Sequence, residues 1–313
     1  MFTIRFHSCA LSEYNLTVLY SILAALIKTM RPRQWAKNML LFAALVFDRK
    51  LELLPAFFRT LAGYVLFCLL ASSVYIINDL ADLEADRQHP DKCKRPIASG
   101  KLPIPIAVFV AIFILLLVFP LAYLLSPNFA LVALGYFILN LVYSKYLKHI
   151  PLIDVFSLAS FYVLRVLAGV TLIQVERFSP WLYVVTSMGA LYIGIAKRRA
   201  ELTLLAENAN THRRVLEGYT IPLLDQLITI VSTTTIVAYS FYTFQAPNLP
   251  PNHTMMLTIP FAVYGTFRYL YLVQTKNSGG APEDILFSDR PLQITIVLWG
   301  LAVLAVFYLS PVI

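Results

Sequence analysis

The feature that most restricts this chain is a run of apolar residues, Ile106–Leu125, that carries no charge and does not alternate. Its length matches the ~20 residues an α-helix needs to cross the hydrocarbon of a bilayer. Transmembrane barrels alternate apolar and polar residues around a polar lumen, so membrane helices are expected. Composition agrees: 59% of the 313 residues are hydrophobic and 13% charged, where soluble proteins spend about a quarter on charge. A soluble enzyme is argued against. Length alone would suggest about two domains, but a polytopic bundle has no separate core to divide, so one all-α bundle is expected.

Runs bracketed by Pro, Gly and charge predict nine spans, near 35–48, 56–79, 103–125, 128–146, 151–173, 180–197, 222–244, 254–274 and 291–312. Ahead of them, Leu16, Leu19, Tyr20, Leu23, Ile27 and Met30 share one helical face, and Thr17, Ser21, Ala24 and Lys28 another. That pattern predicts a helix lying in the membrane interface. Residues 1–30 are therefore an N-terminal segment and 31–313 the transmembrane domain. The start imitates a signal peptide, but no convincing cleavage site follows.

Basic residues report orientation in such a chain. One set of alternate loops collects Lys28, Arg31, Arg33, Lys37, Arg87, Lys92, Lys94, Arg95, Lys101, Lys145, Lys148, Lys197, Arg198, Arg199, Arg213, Arg214, Lys276 and Arg290. The other holds Arg49, Lys50, Arg59 and Arg177. The first side is read as cytoplasmic, with the amino end inside and the carboxyl end outside. The net charge of +8 then needs no nucleic acid to explain it. Cys9, Cys68 and Cys93 form no CxxC pair, and the five histidines show no paired spacing, so neither a zinc site nor a disulfide framework is expected.

Acids gather in two cytoplasmic loops. Asp79, Asp82 and Asp86 sit at i, i+3 and i+7 at the end of the second span, within about 60° of one another on a helix. Three carboxylates on one face repel unless a cation neutralises them, and a hard oxygen site of this kind suits Mg²⁺ held partly through substrate phosphates. Glu84 points away, as a solvated charge. The structural alternative is an ordinary polar helix end, paired with Arg87, Lys92, Lys94 and Arg95. Lys92-Cys93-Lys94-Arg95-Pro96 otherwise supplies cations for phosphate.

The second loop opens Lys197-Arg198-Arg199-Ala200-Glu201, followed by His212-Arg213-Arg214; Lys197 and Glu201 alone could be an i, i+4 salt bridge. Arg165 lies inside the fifth span on the same face as Asp154, about 16 Å along the helix. It is either a buried ion pair or a contact to lipid phosphate. Arg268 is expected to snorkel to the cytoplasmic end, and Lys37 and Asn38 to serve the interface at the first span.

Asn78–Asp86 spells NDxxDxxxD, and with nine helices and two cytoplasmic polar loops the chain resembles the UbiA superfamily of intramembrane prenyltransferases. In most members a second aspartate-rich motif after the sixth helix holds another Mg²⁺ on the prenyl diphosphate. Here Lys197–Glu201 stands in its place. The departure is similar to a branch that moves 5-phosphoribosyl from phosphoribosyl diphosphate to a polyprenyl, decaprenyl-type phosphate in cell envelope biosynthesis. The likeness runs through Arg31–Asn38, Arg95–Gly100, Leu147–His149, Leu164–Gly169, Lys197–Leu202, Leu216–Thr220 and Gly279–Glu283, but not the first 30 residues.

The resemblance implies an integral inner-membrane enzyme with its active site facing the cytoplasm and Mg²⁺ as cofactor. Asp79, Asp82 and Asp86 would bind the metal and, with Glu201, form the catalytic set. Asn78, Lys197 and Arg198, joined by Lys37, Asn38, Arg87, Arg95, Tyr143, Lys148 and Arg165, would bind substrate. Its partners would be phosphoribosyl diphosphate, a polyprenyl phosphate and the bilayer; a homo-oligomer is compatible with this and nucleic acid is not expected. Two rivals stand beside it: a prenyltransferase moving a polyprenyl group from its diphosphate to an aromatic or other small acceptor, and a non-catalytic transporter or lipid-binding protein. Transporters place charge near the midplane on interrupted helices, whereas these acids gather at a boundary.

Overall fold

The computed structural model describes residues 19–173, 175, 179–207, 214–247, 249–275 and 282–309, and every regular element among them is helical. Helix α1 covers Leu19–Met30. A 3-10 stretch, Pro32–Leu41, runs into α2 (Phe42–Phe47), followed by α3 (Leu54–Ala81), α4 (Leu83–Gln88), α5 (Ile104–Leu125) and α6 (Pro127–Lys145). Then come α7 (Ile153–Val170), α8 (Pro180–Glu207), α9 (Ile221–Gln245), α10 (Ile259–Thr275), α11 (Pro282–Ser288) and α12 (Arg290–Leu309). The expected Leu16, Thr17, Arg177, His212, Arg213, Lys276 and Gly279–Ala281 lie outside the described residues.

Seven of the described segments are long and apolar enough to cross a membrane: α3, α5, α6, α7, α9, Thr254–Thr275 and α12. This is an integral membrane protein. The expected spans 35–48 and 180–197 are not among the seven, and each has a local reason. The first begins in the 3-10 form and holds only six α-helical residues. The apolar part of α8 stops at Ala196, where Lys197-Arg198-Arg199 begins, short of the ~20 residues a full span takes.

The 3-10 winding has a packing consequence. Side chains three apart eclipse in this form, so Trp35 and Asn38 stand in one row. Trp35 Nε1 donates to Ser72 Oγ (3.1 Å) and Asn38 Nδ2 to Cys68 Sγ (3.2 Å), and Cys68 and Ser72 are one turn apart on α3. Ser72 Oγ in turn donates to the Met30 carbonyl (3.1 Å), fixing the end of α1.

The chain forms two compact units, residues 1–38 with 64–137, and residues 39–63 with 138–313. In the first, Ile22, Ala25, Leu26 and Met30 of α1 pack on Ile76, Ile97, Leu102 and Ala107, while Leu19, Tyr20, Leu23 and Ile27 are exposed. The exposed apolar face is the one the sequence pattern assigns to lipid, except that Met30 turns inward. In the second unit, α7, α8, α9 and α10 enclose a core that includes Val155, Leu191, Ile195, Leu224, Ile228 and Val273. Gly169 of α7 is required there: a Cβ would lie 2.0 Å from the Leu41 carbonyl oxygen, so only glycine admits that backbone.

Candidate active site

The acidic motif straddles a helix break. Helix α3 carries Asn78 and Asp79 to its end, and Asp82, with φ −92° and ψ 9°, separates it from α4. The expected single helix is therefore interrupted, although Asp82 N still donates to Asn78 O and Asp86 N to Asp82 O. Asp79 and Asp86 are buried and Asp82 is half-buried.

The two buried acids meet on one guanidinium. Arg95 Nη1 donates to Asp79 Oδ1 (3.1 Å) and to Asp86 Oδ2 (2.6 Å), and Arg31 Nη2 donates to Asp79 Oδ1 (2.6 Å). Arg31 adopts a left-handed backbone (φ 54°) between α1 and the 3-10 stretch, and its guanidinium lies 4.9 Å from the centre of the Tyr75 ring. The helix-end pairing weighed from sequence thus holds for Arg95. Arg87 pairs with Glu84 (3.1 Å) and Lys94 with Asp91 (3.1 Å), both on the exposed surface. Arg87 is accordingly placed with a solvated partner instead of with the buried acids.

Among the described residues, no three His, Cys, Asp or Glu side chains are arranged as they stand to hold a metal ion. The donor set nevertheless fits one. Asp79 and Asp86 already converge on a single cationic nitrogen, and their oxygens are the hard ligands that Mg²⁺ selects.

The second constellation lies in the other unit and is built around Arg198. Its Nε donates to Asp154 Oδ2 (2.5 Å), Nη1 to Glu201 Oε2 (2.5 Å) and Nη2 to Tyr143 Oη (3.0 Å). Tyr219 Oη donates to the other Asp154 oxygen (2.6 Å) and accepts from Leu152 N (2.6 Å). Gly218 makes this possible, because a Cβ there would meet Pro151 Cγ at 2.5 Å. Leu152 itself takes a left-handed turn, φ 66°. Burial opposes the charge of Arg198, but Glu201, Tyr143 and Asp154 outweigh it and raise its pKa. Burial, then the hydrogen bond to Asp154, pushes the Tyr219 phenol up, so it remains a donor.

Neighbouring residues are placed as follows. Arg199 Nε donates to Asp225 Oδ1 (2.6 Å). Lys197 and Lys148 are half-buried. Arg165 is buried and its Nη1 donates to the Phe161 carbonyl of its own helix (2.6 Å), while Asp154 is taken by Arg198 and Tyr219. Arg268, expected to reach toward the cytoplasmic end, is held by both oxygens of Asp289, next to Arg290, at 3.1 and 2.8 Å. Lys37 Nζ donates to Gln34 Oε1 (2.6 Å), and Asn38 is fully buried. Sequence reasoning missed Tyr219, Arg31 and the bond from Asp154 to Arg198; an acid in an apolar run and a Gly-Tyr pair after a charged loop were the available signals.

Fold and clusters together define a polytopic helical membrane protein with one acidic and one mixed-charge polar site. The UbiA prenyltransferase family model matches residues 38–288. Over 283 residues the chain is 33% identical to the decaprenyl-phosphate phosphoribosyltransferase of Mycobacterium tuberculosis (strain CDC 1551 / Oshkosh), covering 89% of this chain and 93% of that one. The enzyme of the same name from Corynebacterium glutamicum is 32% identical over 299 residues, 91% of this chain and 87% of that one. A solved UbiA homologue from Archaeoglobus fulgidus, bound to GPP and Mg²⁺, is similar with a TM-score of 0.69 and 21% identity, covering 90% of this chain and 99% of that one. At that identity the likeness is one of fold. The chain belongs to the UbiA prenyltransferase family and is a transferase of that superfamily.

Proposed function

We propose that this transferase moves 5-phosphoribosyl from phosphoribosyl diphosphate to a polyprenyl phosphate, releasing diphosphate with inversion at the anomeric carbon. The observation that carries the reading is the loop at Lys197–Glu201, where a guanidinium bound by Asp154 and Glu201 stands where an aspartate-rich motif would serve a prenyl diphosphate. The names of the relatives, over most of both chains, support it.

Asp79, Asp82 and Asp86 would hold Mg²⁺, which when bound offsets the charge that develops on the departing diphosphate. Lys197, Lys148 and the basic side chains beside the acidic motif meet the donor's 5-phosphate and the lipid phosphate as cations. A lone pair of the lipid phosphate oxygen forms the new bond to the anomeric carbon from the face opposite the diphosphate. The bond to diphosphate breaks and its electron pair leaves with that group. A phosphate monoester is largely anionic near neutral pH, so no side chain has to remove a proton. The reading includes nine crossings, an interfacial helix within residues 1–30, a transferase domain over 31–313, and both polar loops on the cytoplasmic side, where basic residues collect.

The test is made on detergent-purified protein with Mg²⁺. One reaction receives labelled phosphoribosyl diphosphate and a polyprenyl phosphate, the other a labelled prenyl diphosphate and an aromatic acid. Lipid-soluble label is expected in the first. Label transferred only to the aromatic acid in the second overturns the proposal in favour of prenyl transfer.

A further inference from the structure

Arg198 is poorly placed to receive a phosphate. Its side chain has no exposed surface, and each of its three nitrogens is directed at a protein oxygen, on Asp154, Glu201 and Tyr143. With all three nitrogens engaged, Arg198 keeps no donor directed at a phosphate oxygen. Asp154 is wholly enclosed, whereas 21% of the Glu201 side chain is open, and Tyr143 is half-buried. The network therefore reaches the surface as a carboxylate beside a phenol.

That pair has a definite chemistry. A carboxylate accepts hydrogen bonds from uncharged hydroxyls, and a phenol donates or accepts. A ribosyl group offers vicinal hydroxyls with no charge to be repelled, whereas a prenyl chain has none. Resting on the donor assignment above, we infer that Glu201, flanked by Tyr143, binds the ring hydroxyls of the ribosyl donor. Arg198, Asp154 and Tyr219 are positioning residues. The guanidinium is a rigid planar fork, so fixing Nε on Asp154 sets the direction of both Nη groups and with them Glu201 and Tyr143. Tyr219 fixes Asp154 in turn, from the backbone of Leu152. Lys197, one turn before Glu201, keeps the basic role toward phosphate.

The test measures kcat/KM of the full chain, with Mg²⁺ and polyprenyl phosphate, for phosphoribosyl diphosphate and for its 2-deoxy and 3-deoxy counterparts. A hydrogen bond to a charged acceptor predicts that wild type handles at least one deoxy donor worse by on the order of tenfold to a hundredfold. Glu201→Ala is expected to bring that ratio to within about threefold by losing the same bond. Glu201→Gln, which preserves shape if the alanine variant does not fold, falls between. Asp154→Asn and Tyr219→Phe shift the ratio in the same direction, whereas general damage slows both donors and leaves the ratio alone. If a Glu201 variant is inactive, the ratio is read from donor Kd by calorimetry. A Glu201 variant that keeps the wild-type ratio, or a wild type with no preference, overturns the inference while the donor assignment stands. Failure of wild type to use phosphoribosyl diphosphate at all overturns the donor assignment, and this inference with it.

Discussion

Arg95→Gln isolates how the acidic motif is held. One nitrogen of Arg95 bonds both Asp79 and Asp86, whose side chains are 4% and 3% exposed, while Arg95 itself is 30% exposed. Removing one partner of a buried ion pair costs about 3–5 kcal/mol, whereas an exposed pair is worth only about 0–1 kcal/mol. Asp79 retains Arg31, so the main loss falls on Asp86. With 30% of the Arg95 side chain open to solvent, the expected destabilisation is about 2–3 kcal/mol in chelator. Mg²⁺ at a hundred times its Kd stabilises by about 2.7 kcal/mol, which is nearly the same amount. Thermal unfolding in detergent, with EDTA or with saturating Mg²⁺, should therefore show a variant that is weak in chelator and restored by the metal. Wild type gains less from the same Mg²⁺, because the cation has to displace Arg95 from the same oxygens. An equal metal-induced shift in both proteins, or no loss in chelator, would refute a shared position for the guanidinium and the metal.

Other outcomes are expected. Asp79→Asn should abolish turnover and Mg²⁺ dependence together, and retained activity in the transfer assay would remove the metal assignment. Gly169→Ala drives a Cβ into the Leu41 backbone, so the unfolding temperature should fall by several degrees, reflecting about 1–3 kcal/mol of overpacking; an unchanged midpoint would show that the 3-10 stretch can shift without cost. Because the attacking phosphate needs no base, each histidine-to-alanine variant should keep turnover within about threefold, a margin well below the usual contribution of a general base. One essential histidine would sink that part of the mechanism.

The long apolar helices were legible because their signal is length. The segment 222–244 emerges as Ile221–Gln245 and 103–125 as Ile104–Leu125. The first expected span was less legible, since hydropathy does not distinguish a 3-10 stretch from an α-helix; the difference lies in the row of Trp35 and Asn38 against α3. At the acidic motif, spacing brought out Asp79 and Asp86 as neighbours. It could not tell that Arg31, far away in sequence, would close on Asp79 through a left-handed turn. Arg165 shows the limit most plainly. Helical periodicity puts it on the face of Asp154 without naming a partner for either, and the guanidinium that takes Asp154 comes from α8, 44 positions after that aspartate.

The tight winding of Pro32–Leu41 also changes how far the chain reaches. Ten residues in 3-10 form and six in α form, at about 2.0 and 1.5 Å per residue, extend about 29 Å. An α-helix of the same sixteen residues stops at about 24 Å. Leu41 joins the two with right-handed helical angles, so the winding passes from one form to the other without a turn. A segment too short to traverse about 30 Å of hydrocarbon as an α-helix comes within one residue's rise of doing so when its first ten residues are stretched.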